Sequence, residues 1–415
     1  MSAGGAGPPP DGLVHGMGKE LVAPDWPPLT DDEVRAVLAG YPGLSRAAGA
    51  VITWRSPRPM SAAALIRWPA GSSGPAGTGG PPGVVFIKRH HGRVRSVAQL
   101  TAEHAFAAHL RDRGVPVPAV LRWADGTTAA RSGEFVYELH EAAAGVDLYR
   151  EAMSWSPFTS PQHARAAGAA LARLHVAAAG FPGPERPPAA LVGSAAIAVA
   201  PDPVAELSRF AARLPDLARY LSRRSWRADF ERHLLAPARR AGPLLRALPR
   251  QWGHGDWHPS NLTWTTRGPE ADVAGVLDLG LANRTLAVHD LATALERTTV
   301  PWLDLVECER AEADHEAIDA LLDGYESVRP LGRLEAAALA EVLPVVHVEF
   351  ALTEIEYFAG IVAAPDLADL AYDGYLLGHA RWFAGPEGLA VLDQLRGRSS
   401  PKPSGSTTVL GHPTS

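Results

Sequence analysis

The sequence has almost no cysteine and no long apolar run, and each shortage excludes a class of protein. Cys308 is the only cysteine in 415 residues, which excludes a disulfide framework and a cysteine-based zinc site and fits a reducing compartment. No apolar stretch reads as a membrane span of about 18 residues, and the N-terminus lacks the basic and apolar regions of a secretory signal. We therefore expect a cytoplasmic protein with no membrane partner.

An excess of basic charge is also missing. Lys and Arg number 39 against 45 Asp and Glu, which gives a net charge of −6 and an isoelectric point near 6.2. A nucleic-acid-binding domain usually carries a basic surface, so we expect no nucleic-acid partner. The length predicts two to three domains, and the hydrophobic share of 46% is that of a globular protein.

Glycine and proline are plentiful but concentrated at the two ends and in a few connectors. Residues 1–28 are rich in Gly, Pro and Ala, and residues 398–415 in Ser and Pro, and we expect both segments to be disordered. The stretch PAGSSGPAGTGGPPG lies between two apolar runs and reads as a long hairpin connection. It contains neither GxGxxG nor GxxxxGK[ST], which disfavours a phosphate-binding loop.

The chain between the two ends changes character near residue 140. AVITWRS, AAALIRW, VVFIKRH and EFVYELH read as strands, and a helix begins at Val97 and ends at Gly114. From about Ser160 the apolar residues recur at helical spacing. The pattern predicts an α+β protein with a small mixed lobe over 29–140 and a larger, mainly helical lobe over 141–397.

The segment WGHGDWHPSNLTW and the following VAGVLDLG carry the polar residues that indicate chemistry. Asp256 and Asn261 are five residues apart, so one tight loop can present a carboxylate to a substrate hydroxyl and an amide oxygen to a metal ion. Asp278 closes an apolar strand, where a carboxylate can be held against Mg²⁺ bridging ATP phosphates.

The motif HGDxHPxN with a downstream Asp resembles the aminoglycoside phosphotransferase and choline kinase superfamily, including its bacterial homoserine kinase-like relatives. The resemblance implies a bilobal protein-kinase-like fold, with an antiparallel-sheet N-lobe that binds ATP and a helical C-lobe. It implies that Asp256 is the catalytic base or the carboxylate that positions the hydroxyl, and that Asn261 and Asp278 hold Mg²⁺. By the same resemblance, His254 supports the catalytic loop and Asp290 ties it to the next helix.

The resemblance also assigns residues upstream of the loop. Lys88 at the end of VVFIKRH would orient the ATP phosphates, and Glu103, fifteen residues later on the predicted helix, would pair with it. Backbone groups near Glu138 and His140 would meet the adenine edge. One departure is the loop SPRPMS, which lacks the glycines of a protein-kinase flap.

The acceptor is the least defined part of the prediction. Glu349 and Glu356 share one face of the helix HVEFALTEIEYFAG, and acidic residues recognise cationic amino sugars in antibiotic-modifying relatives. A solvated helix face is the alternative for these residues. The sequence thus predicts ATP- and Mg²⁺-dependent phosphorylation of a small-molecule hydroxyl, with a cationic acceptor among the candidates: an aminoglycoside-like antibiotic, as in resistance enzymes, a natural-product intermediate or an amino alcohol.

Three other functions fit parts of the pattern. A catalytically silent nucleotide-binding regulator and a protein Ser/Thr kinase of the same superfamily both remain open. His254, Asp256 and His258 also form an H-x-D-x-H set that could ligate a hydrolytic metal. We regard the hydrolase as the least favoured of the three, because Pro259 would break the strand and the other polar residues would have no role.

Overall fold

The protein is described by a computed structural model that covers residues 13–16, 20–44, 49–68, 83–308 and 310–399. The strands in these ranges are β1 Val14–His15, β2 Leu21–Val22, β3 Val51–Arg55, β4 Ala62–Arg67, β5 Val84–His91, β6 Ala130–Ser132, β7 Phe135–Glu141, β8 Gln251–Gly253, β9 Leu262–Trp264, β10 Val273–Val276 and β11 Asn283–Thr285. The predicted 69–82 connection lies outside the described residues.

Helices make up most of the second half of the chain. The α-helices are α1 Asp31–Leu38, α2 Val97–Arg111, α3 Pro161–Ala178, α4 Ala196–Val199, α5 Pro203–Ala212, α6 Pro215–Leu221, α7 Trp226–His233, α8 Leu235–Arg246, α9 Ala287–Thr299, α10 Trp302–Cys308, α11 His315–Val328, α12 Arg333–Val342, α13 Val348–Glu356, α14 Pro365–Asp369, α15 Leu377–Ala384 and α16 Pro386–Ser399. Short 3₁₀ turns span Pro259–Asn261, Leu279–Leu281 and Leu343–Val345, and π-helical turns span Tyr357–Ile361 and Leu370–Leu376.

The smaller lobe is built on one antiparallel five-stranded sheet with the strand order β3-β4-β5-β7-β6. Alternate side chains of β5 point to opposite faces, as the two-residue period of a strand requires. Val85 and Ile87 are buried in the core formed with α1, whereas Lys88 lies on the other face. The strand pattern VVFIKRH thus places one lysine on the face turned towards the larger lobe.

Helix α2 crosses the sheet on the side of Lys88. Its N-terminus is fixed by a capping box, in which Ser96 accepts from the backbone N–H of Gln99 and the Gln99 side chain accepts from that of Ser96. Glu103 and His104 lie two turns further along, and both are buried. The cap therefore sets the position from which α2 presents two polar side chains towards the active centre.

The larger lobe packs around α3 and α11, whose backbones approach closely. A Cβ on Gly168 would lie 2.0 Å from the carbonyl oxygen of Leu321, and one on Gly324 would lie 1.9 Å from that of Arg165. Both positions require glycine because no side chain fits between the two backbones. This contact holds α3, which ends near the catalytic loop, against the body of the lobe.

One helical stretch, Arg333–Ile361, is long and apolar enough to cross a membrane by composition, with a mean hydropathy of 1.5. In this fold, 83% of its most apolar window is buried against other helices. Apolar residues on every side of a helix are typical of the core of a large soluble domain as well as of a membrane span. Here the stretch forms part of the core of the larger lobe.

The expected disorder at the ends was wrong for several residues. β1 and β2 pair as an antiparallel ribbon inside the segment 1–28, and the His15 N–H donates to the carbonyl of Pro57 at 2.9 Å. At the other end, Arg398 belongs to α16 and forms ion pairs with Asp319, Asp323 and Glu326. Composition alone did not reveal these long-range contacts. Residues 1–12, 17–19 and 400–415 lie outside the described part of the chain.

Candidate active site

The loop that follows β8 is held by Asp290 from α9. The Asp290 carboxylate accepts hydrogen bonds from the backbone N–H of His254 at 2.6 Å and of Gly255 at 2.7 Å. It also bonds to Nε2 of His175, at the end of α3, at 2.9 Å. Burial raises the pKa of Asp290, but these partners outweigh it and hold the pKa at about 2. Asp290 is therefore an ionised brace, in the position expected for a residue that ties the loop to the helix.

Glycine is required at position 255. Its φ of +77° lies in the left-handed region, and an added Cβ would lie 2.5 Å from the carbonyl oxygen of Leu281. The chain turns sharply at this point and directs the next residue, Asp256, away from the Asp290 brace. The glycine of the sequence motif is thus explained by backbone geometry and a close backbone contact.

Asp256 sits among four polar partners, one of which is His258, whose Nε2 lies 3.5 Å from Oδ1. Arg297 of α9 forms an ion pair with Oδ1, the indole N–H of Trp155 approaches the same oxygen at 3.4 Å, and Nδ2 of Asn261 donates to Oδ2 at 3.1 Å. Burial raises the pKa of Asp256, but the charges of Arg297 and His258 outweigh it and hold this pKa well below its usual range. The carboxylate is therefore ionised, fixed in orientation and a weak base.

Asn261 and Asp278 present oxygen atoms suited to Mg²⁺. Nδ2 of Asn261 donates to Asp256, including its backbone carbonyl at 2.9 Å, so the amide oxygen Oδ1 is turned the other way. Asp278 follows β10 with a φ of +52°, and its side chain is 37% exposed. An amide oxygen and an accessible carboxylate are hard donors of the type that Mg²⁺ prefers, so these residues fit the metal.

Lys88 does not pair with Glu103, which differs from the prediction. Its Nζ bonds to Oδ2 of Asp278 at 2.8 Å. Glu103 instead forms ion pairs with Arg186 at 2.6 Å and with Arg95 at 3.5 Å. Two guanidinium groups already surround the glutamate, so it needs no lysine to balance its charge. Lys88 therefore lies beside Asp278 and not beside Glu103.

The two arginines connect Glu103 to the loop after Asp278. Arg95 donates to the carbonyl of Gly280 at 3.2 Å, and Arg186 donates to the carbonyls of Gly280 and Ala282, both at 2.9 Å. The Asp278 carboxylate accepts from the N–H of Gly280 at 3.2 Å. Glu103 is thus linked to the loop after Asp278 through Arg95 and Arg186, an arrangement that sequence spacing could not show.

The backbone of Glu138 and His140 lies inside the sheet, contrary to the predicted adenine contact. Leu139 accepts from the N–H of Leu121, and Glu141 donates to the carbonyl of Ala119. Because backbone groups of successive residues point to opposite neighbours, those of Glu138 and His140 face β5. The backbone available to an adenine edge therefore begins after Glu141.

The Glu138 side chain lies in a buried network of histidines. Its carboxylate bonds to Nε2 of His90 at 2.9 Å and of His104 at 2.5 Å, and lies 3.1 Å from Nε2 of His140. His104 belongs to α2, so this network attaches the helix to the sheet. Glu138 is consequently a buried structural acceptor.

Arg58, in the loop between β3 and β4, reaches the catalytic loop from the smaller lobe. It donates to Oγ of Ser260 at 3.0 Å and to the carbonyl of Ala152 at 2.8 Å. Burial lowers its pKa to about 10, while the nearby charge of Asp256 opposes the change, so the group is still a cation at neutral pH. The loop without glycine thus places one positive charge above the active centre.

A cleft beside Asp256, which we call the acceptor cleft, is the candidate place for an acceptor. It is lined by Gly255, Glu296, Arg297, His347, Phe350 and Tyr375, among others. The Tyr375 hydroxyl is buried without a hydrogen-bond partner, and Phe350 and Trp155 pack against the Arg297 guanidinium at 4.7 and 4.8 Å. The cleft combines aromatic walls with polar atoms that a bound molecule can satisfy.

The two acids proposed from the sequence do not line this cleft. Glu349 accepts from the backbone N–H of Ser194 at 3.0 Å and of Ile197 at 2.6 Å, and Glu356 accepts from that of Leu217 at 2.6 Å. Both carboxylates thus hold neighbouring chain segments in place. The acidic residue that lines the cleft is Glu296, whereas the helical pattern predicted Glu349 and Glu356.

The H-x-D-x-H set does not form a metal site. Nε2 of His254 bonds to the carbonyl of Leu277 at 2.8 Å, and Nδ1 accepts from the backbone N–H of Asp256 at 3.1 Å. Nδ1 of His258 bonds to Ser260 at 3.0 Å. Both nitrogens of His254 are engaged with the backbone, which removes the basis for the hydrolase alternative.

Residues 77–331 match the model of the phosphotransferase enzyme family APH. The chain is 29% identical over 251 residues to a protein of Deinococcus radiodurans, a match that covers 59% of this chain and 63% of the relative. It is 28% identical over 257 residues to a homoserine kinase of Gluconacetobacter diazotrophicus, covering 59% and 66%. These matches therefore span just under two thirds of the relatives' length.

Two solved structures share the fold. The choline kinase of Cryptosporidium parvum aligns with a TM-score of 0.51 and 10% identity, covering 89% of this chain and 99% of that one. The amicoumacin kinase hAmiN, in complex with AMP-PNP, Ca²⁺ and Ami, aligns with a TM-score of 0.50 and 13% identity, covering 84% and 94%. The predicted α+β kinase-like fold is confirmed.

Proposed function

Since this chain belongs to the phosphotransferase enzyme family APH, we propose that it transfers the γ-phosphoryl group of ATP to a hydroxyl of a small molecule. The observation that supports the proposal is the convergence of Lys88, Asp278, Asn261 and Asp256 on one region between the lobes. Phosphoryl transfer needs these parts: a cation for the phosphates, oxygen ligands for Mg²⁺ and a carboxylate for the acceptor hydroxyl.

Each of these residues has a separate role in the proposed reaction. Asp278 and Asn261 would hold Mg²⁺, which when bound neutralises charge on the transferring phosphates. Lys88 binds phosphate oxygens once a nucleotide competes for its contact with Asp278. The acceptor oxygen forms a bond to the γ-phosphorus, the bond to the β-phosphate oxygen breaks, and ADP leaves.

Asp256 accepts a hydrogen bond from the acceptor hydroxyl and aligns it with the phosphorus. Because Arg297 keeps the pKa of Asp256 low, the carboxylate does not remove the proton before the transfer begins. The proton moves to Asp256 as the new bond forms and then passes to solvent. Catalysis here consists mainly of positioning and charge stabilisation.

We propose that the acceptor is an aminoglycoside-like antibiotic, a natural-product intermediate or an amino alcohol, and that the reaction is cytoplasmic. The buried Tyr375 hydroxyl and the carboxylate of Glu296 suit hydroxyl and amine groups, and the rings of Phe350 and Trp155 suit a carbon skeleton. A homoserine kinase among the relatives supports the amino-alcohol class.

The test is a mass-spectrometric search for phosphate transfer from Mg-ATP to a pooled panel of aminoglycosides, amino alcohols, sugars and nucleosides. The variant Asp256→Asn keeps the shape of the side chain, and we expect it to lose product while still binding ATP. Asp125→Asn is the matched control, because Asp125 is an exposed residue in a turn. Phosphorylated product at the wild-type rate in Asp256→Asn would reject the proposal, and ATP binding without product would favour a silent regulator.

A further inference from the structure

Three potential metal-binding side chains meet behind the acceptor cleft. Glu296 of α9, His347 just before α13 and His379 of α15 each offer a ligand atom, and these atoms lie within 4.8 Å of one another. Their exposed fractions are 1%, 2% and 4%. Three separate helical segments thus bring a carboxylate and two imidazoles to one buried point.

Two atoms of this cluster have no hydrogen-bond partner. Nε2 of His347 bonds to the carbonyl of Leu376 at 3.0 Å, and since a carbonyl can only accept, Nε2 carries the proton. Nδ1 of His347 therefore holds a lone pair, yet it is buried and unpaired, as is Oε2 of Glu296. A buried acceptor without a donor destabilises the fold, so two of them at one point require an explanation.

The hydrogen bonding of the rings is that of metal ligands. A metal-bound histidine usually donates its second ring N–H to a carbonyl or carboxylate, as His347 does to Leu376. His379 shares a hydrogen bond of 2.6 Å between Nδ1 and Oε1 of Glu296. A metal ion can replace that shared proton and bind both atoms.

The surroundings hold the rings in place. His379 stacks on Trp302 with ring centroids 3.5 Å apart, and the Trp302 indole N–H donates to the Glu296 carbonyl at 2.6 Å. Tyr375 packs against the other side of His379 at 4.6 Å. A preformed site of this kind loses little conformational entropy on binding an ion.

We propose that Glu296, His347 and His379 bind a divalent transition-metal ion of the zinc class, with a remaining coordination position open to the acceptor cleft. Two imidazoles and a carboxylate suit Zn²⁺, whereas Mg²⁺ prefers oxygen ligands and disfavours this set. Glu296 and His347 both line the cleft, which gives the ion a path to the site.

A second cluster of the described residues differs in its carboxylate, although Nδ1 of His104 is also buried without a hydrogen-bond partner. His104, Glu138 and His140 also lie within 4.8 Å of one another. In this cluster, however, the carboxylate oxygens of Glu138 already contact the ring nitrogens of three histidines, including His90. Its carboxylate has no oxygen left over for an ion, so the inference is confined to the Glu296 cluster.

The open position would face the region where an acceptor binds. An oxygen or amine nitrogen of the acceptor would then complete the coordination and be oriented relative to Asp256. This last step rests on the proposed function, whereas metal binding itself does not. The site would favour acceptors with a donor atom away from the reacting hydroxyl.

The experiment uses the full chain without an affinity tag. After EDTA treatment and dialysis, the protein is titrated with Zn²⁺ by calorimetry, and bound metal is measured by mass spectrometry. We expect one Zn²⁺ per chain, and loss of that binding in Glu296→Gln and in His347→Asn. His289→Asn is the matched control, because His289 lines the same cleft outside the cluster. Co²⁺ should give the visible absorption bands of a four-coordinate site in wild type and in His289→Asn.

Several outcomes would overturn the proposal. The proposal is wrong if the wild-type protein does not bind Zn²⁺ stoichiometrically. It is also wrong if Glu296→Gln and His347→Asn bind Zn²⁺ as the wild type does. Loss of binding in His104→Asn alone would move the site to the other cluster. Melting curves show whether each variant is folded, and the conservative variant His379→Gln provides a second test. Together they distinguish loss of a metal ligand from unfolding of the protein. Asp256→Asn should bind Zn²⁺ normally, so a failure of phosphotransfer and a failure of metal binding are distinguishable.

Discussion

Arg297 forms an ion pair with Asp256, the residue proposed to receive the acceptor hydroxyl. Its guanidinium is buried and contacts the rings of both Trp155 and Phe350, which meet edge to face. A buried carboxylate beside a fixed cation stays ionised and keeps one orientation. Arg297 therefore sets both the charge and the direction of Asp256 from a helix 41 residues further along the chain.

Replacing Arg297 by Met should lower kcat by about 100-fold, because a buried carboxylate left without its cation costs about 3–5 kcal/mol. The KM for ATP should change by no more than about twofold, since Arg297 contacts Asp256 and the acceptor cleft. Steady-state kinetics with an acceptor from the panel measures both values. Arg297→Lys keeps the charge and should recover part of kcat. A raised KM for ATP with unchanged kcat would contradict the assigned role.

Glu103 should be coupled energetically to Arg186 and not to Lys88. We expect a double-mutant cycle of Glu103→Gln and Arg186→Met to give an interaction energy of about 2 kcal/mol, because the pair is buried and 2.6 Å apart. The cycle of Glu103→Gln with Lys88→Met should give less than about 0.5 kcal/mol. Urea unfolding in the absence of nucleotide measures both cycles. A larger coupling to Lys88 would restore the pairing expected from the sequence.

Gly255→Ala should disrupt the catalytic loop more than a substitution at another left-handed glycine. A Cβ at Gly255 meets the Leu281 carbonyl oxygen at 2.5 Å, whereas one at Gly126 has nothing within 4 Å, although φ there is +85°. Gly126→Ala should therefore lower the free energy of unfolding only by the strain of a left-handed alanine, about 1–2 kcal/mol. We expect Gly255→Ala to lower the melting temperature further and to lose activity. Equal melting temperatures in the two variants would show that the loop relaxes.

The catalytic loop could be predicted from sequence because its residues are close together in the chain. Asp256, Asn261 and Gly255 belong to one short segment whose local geometry the motif determines. Arg297 gave no comparable signal, since an arginine in the run ALERTT looks like a solvated helix residue. Its burial results from tertiary packing against Trp155 and Phe350, which helical periodicity does not encode.

Helical periodicity also misplaced the acidic residues of α13. It grouped Glu349 and Glu356 on one face, but the helix is buried on all sides, so a shared face does not mean a shared cleft. The carboxylates accept backbone hydrogen bonds from two different segments, near Ser194 and at Leu217. Such contacts depend on the path of distant loops, and a single sequence does not specify that path.

Glu354 of the same helix should make the stability of the protein dependent on pH. Its carboxylate is 1% exposed and Oε2 has no hydrogen-bond partner. Burial raises its pKa to about 8, while the charge of Arg297 opposes the shift and that of Asp256 adds to it. At neutral pH the group is therefore mainly protonated in the folded protein and ionised in the unfolded chain.

The sign of the effect follows from proton binding. Between the ordinary glutamate pKa of 4.5 and the folded value of about 8, the folded state binds more protons than the unfolded state. The free energy of unfolding then falls as pH rises through this window. Glu354→Gln removes the ionisation, so at pH 8 its free energy of unfolding should exceed that of wild type by about 2–4 kcal/mol. Its melting temperature should then be several degrees higher than that of wild type. The difference should vanish near pH 5, where wild-type Glu354 keeps its proton in the fold. Thermal melts from pH 5 to pH 8 measure this difference in melting temperature, and the variant Glu387→Gln, at an exposed position, is the control. A difference that does not depend on pH would mean that Glu354 does not titrate as described.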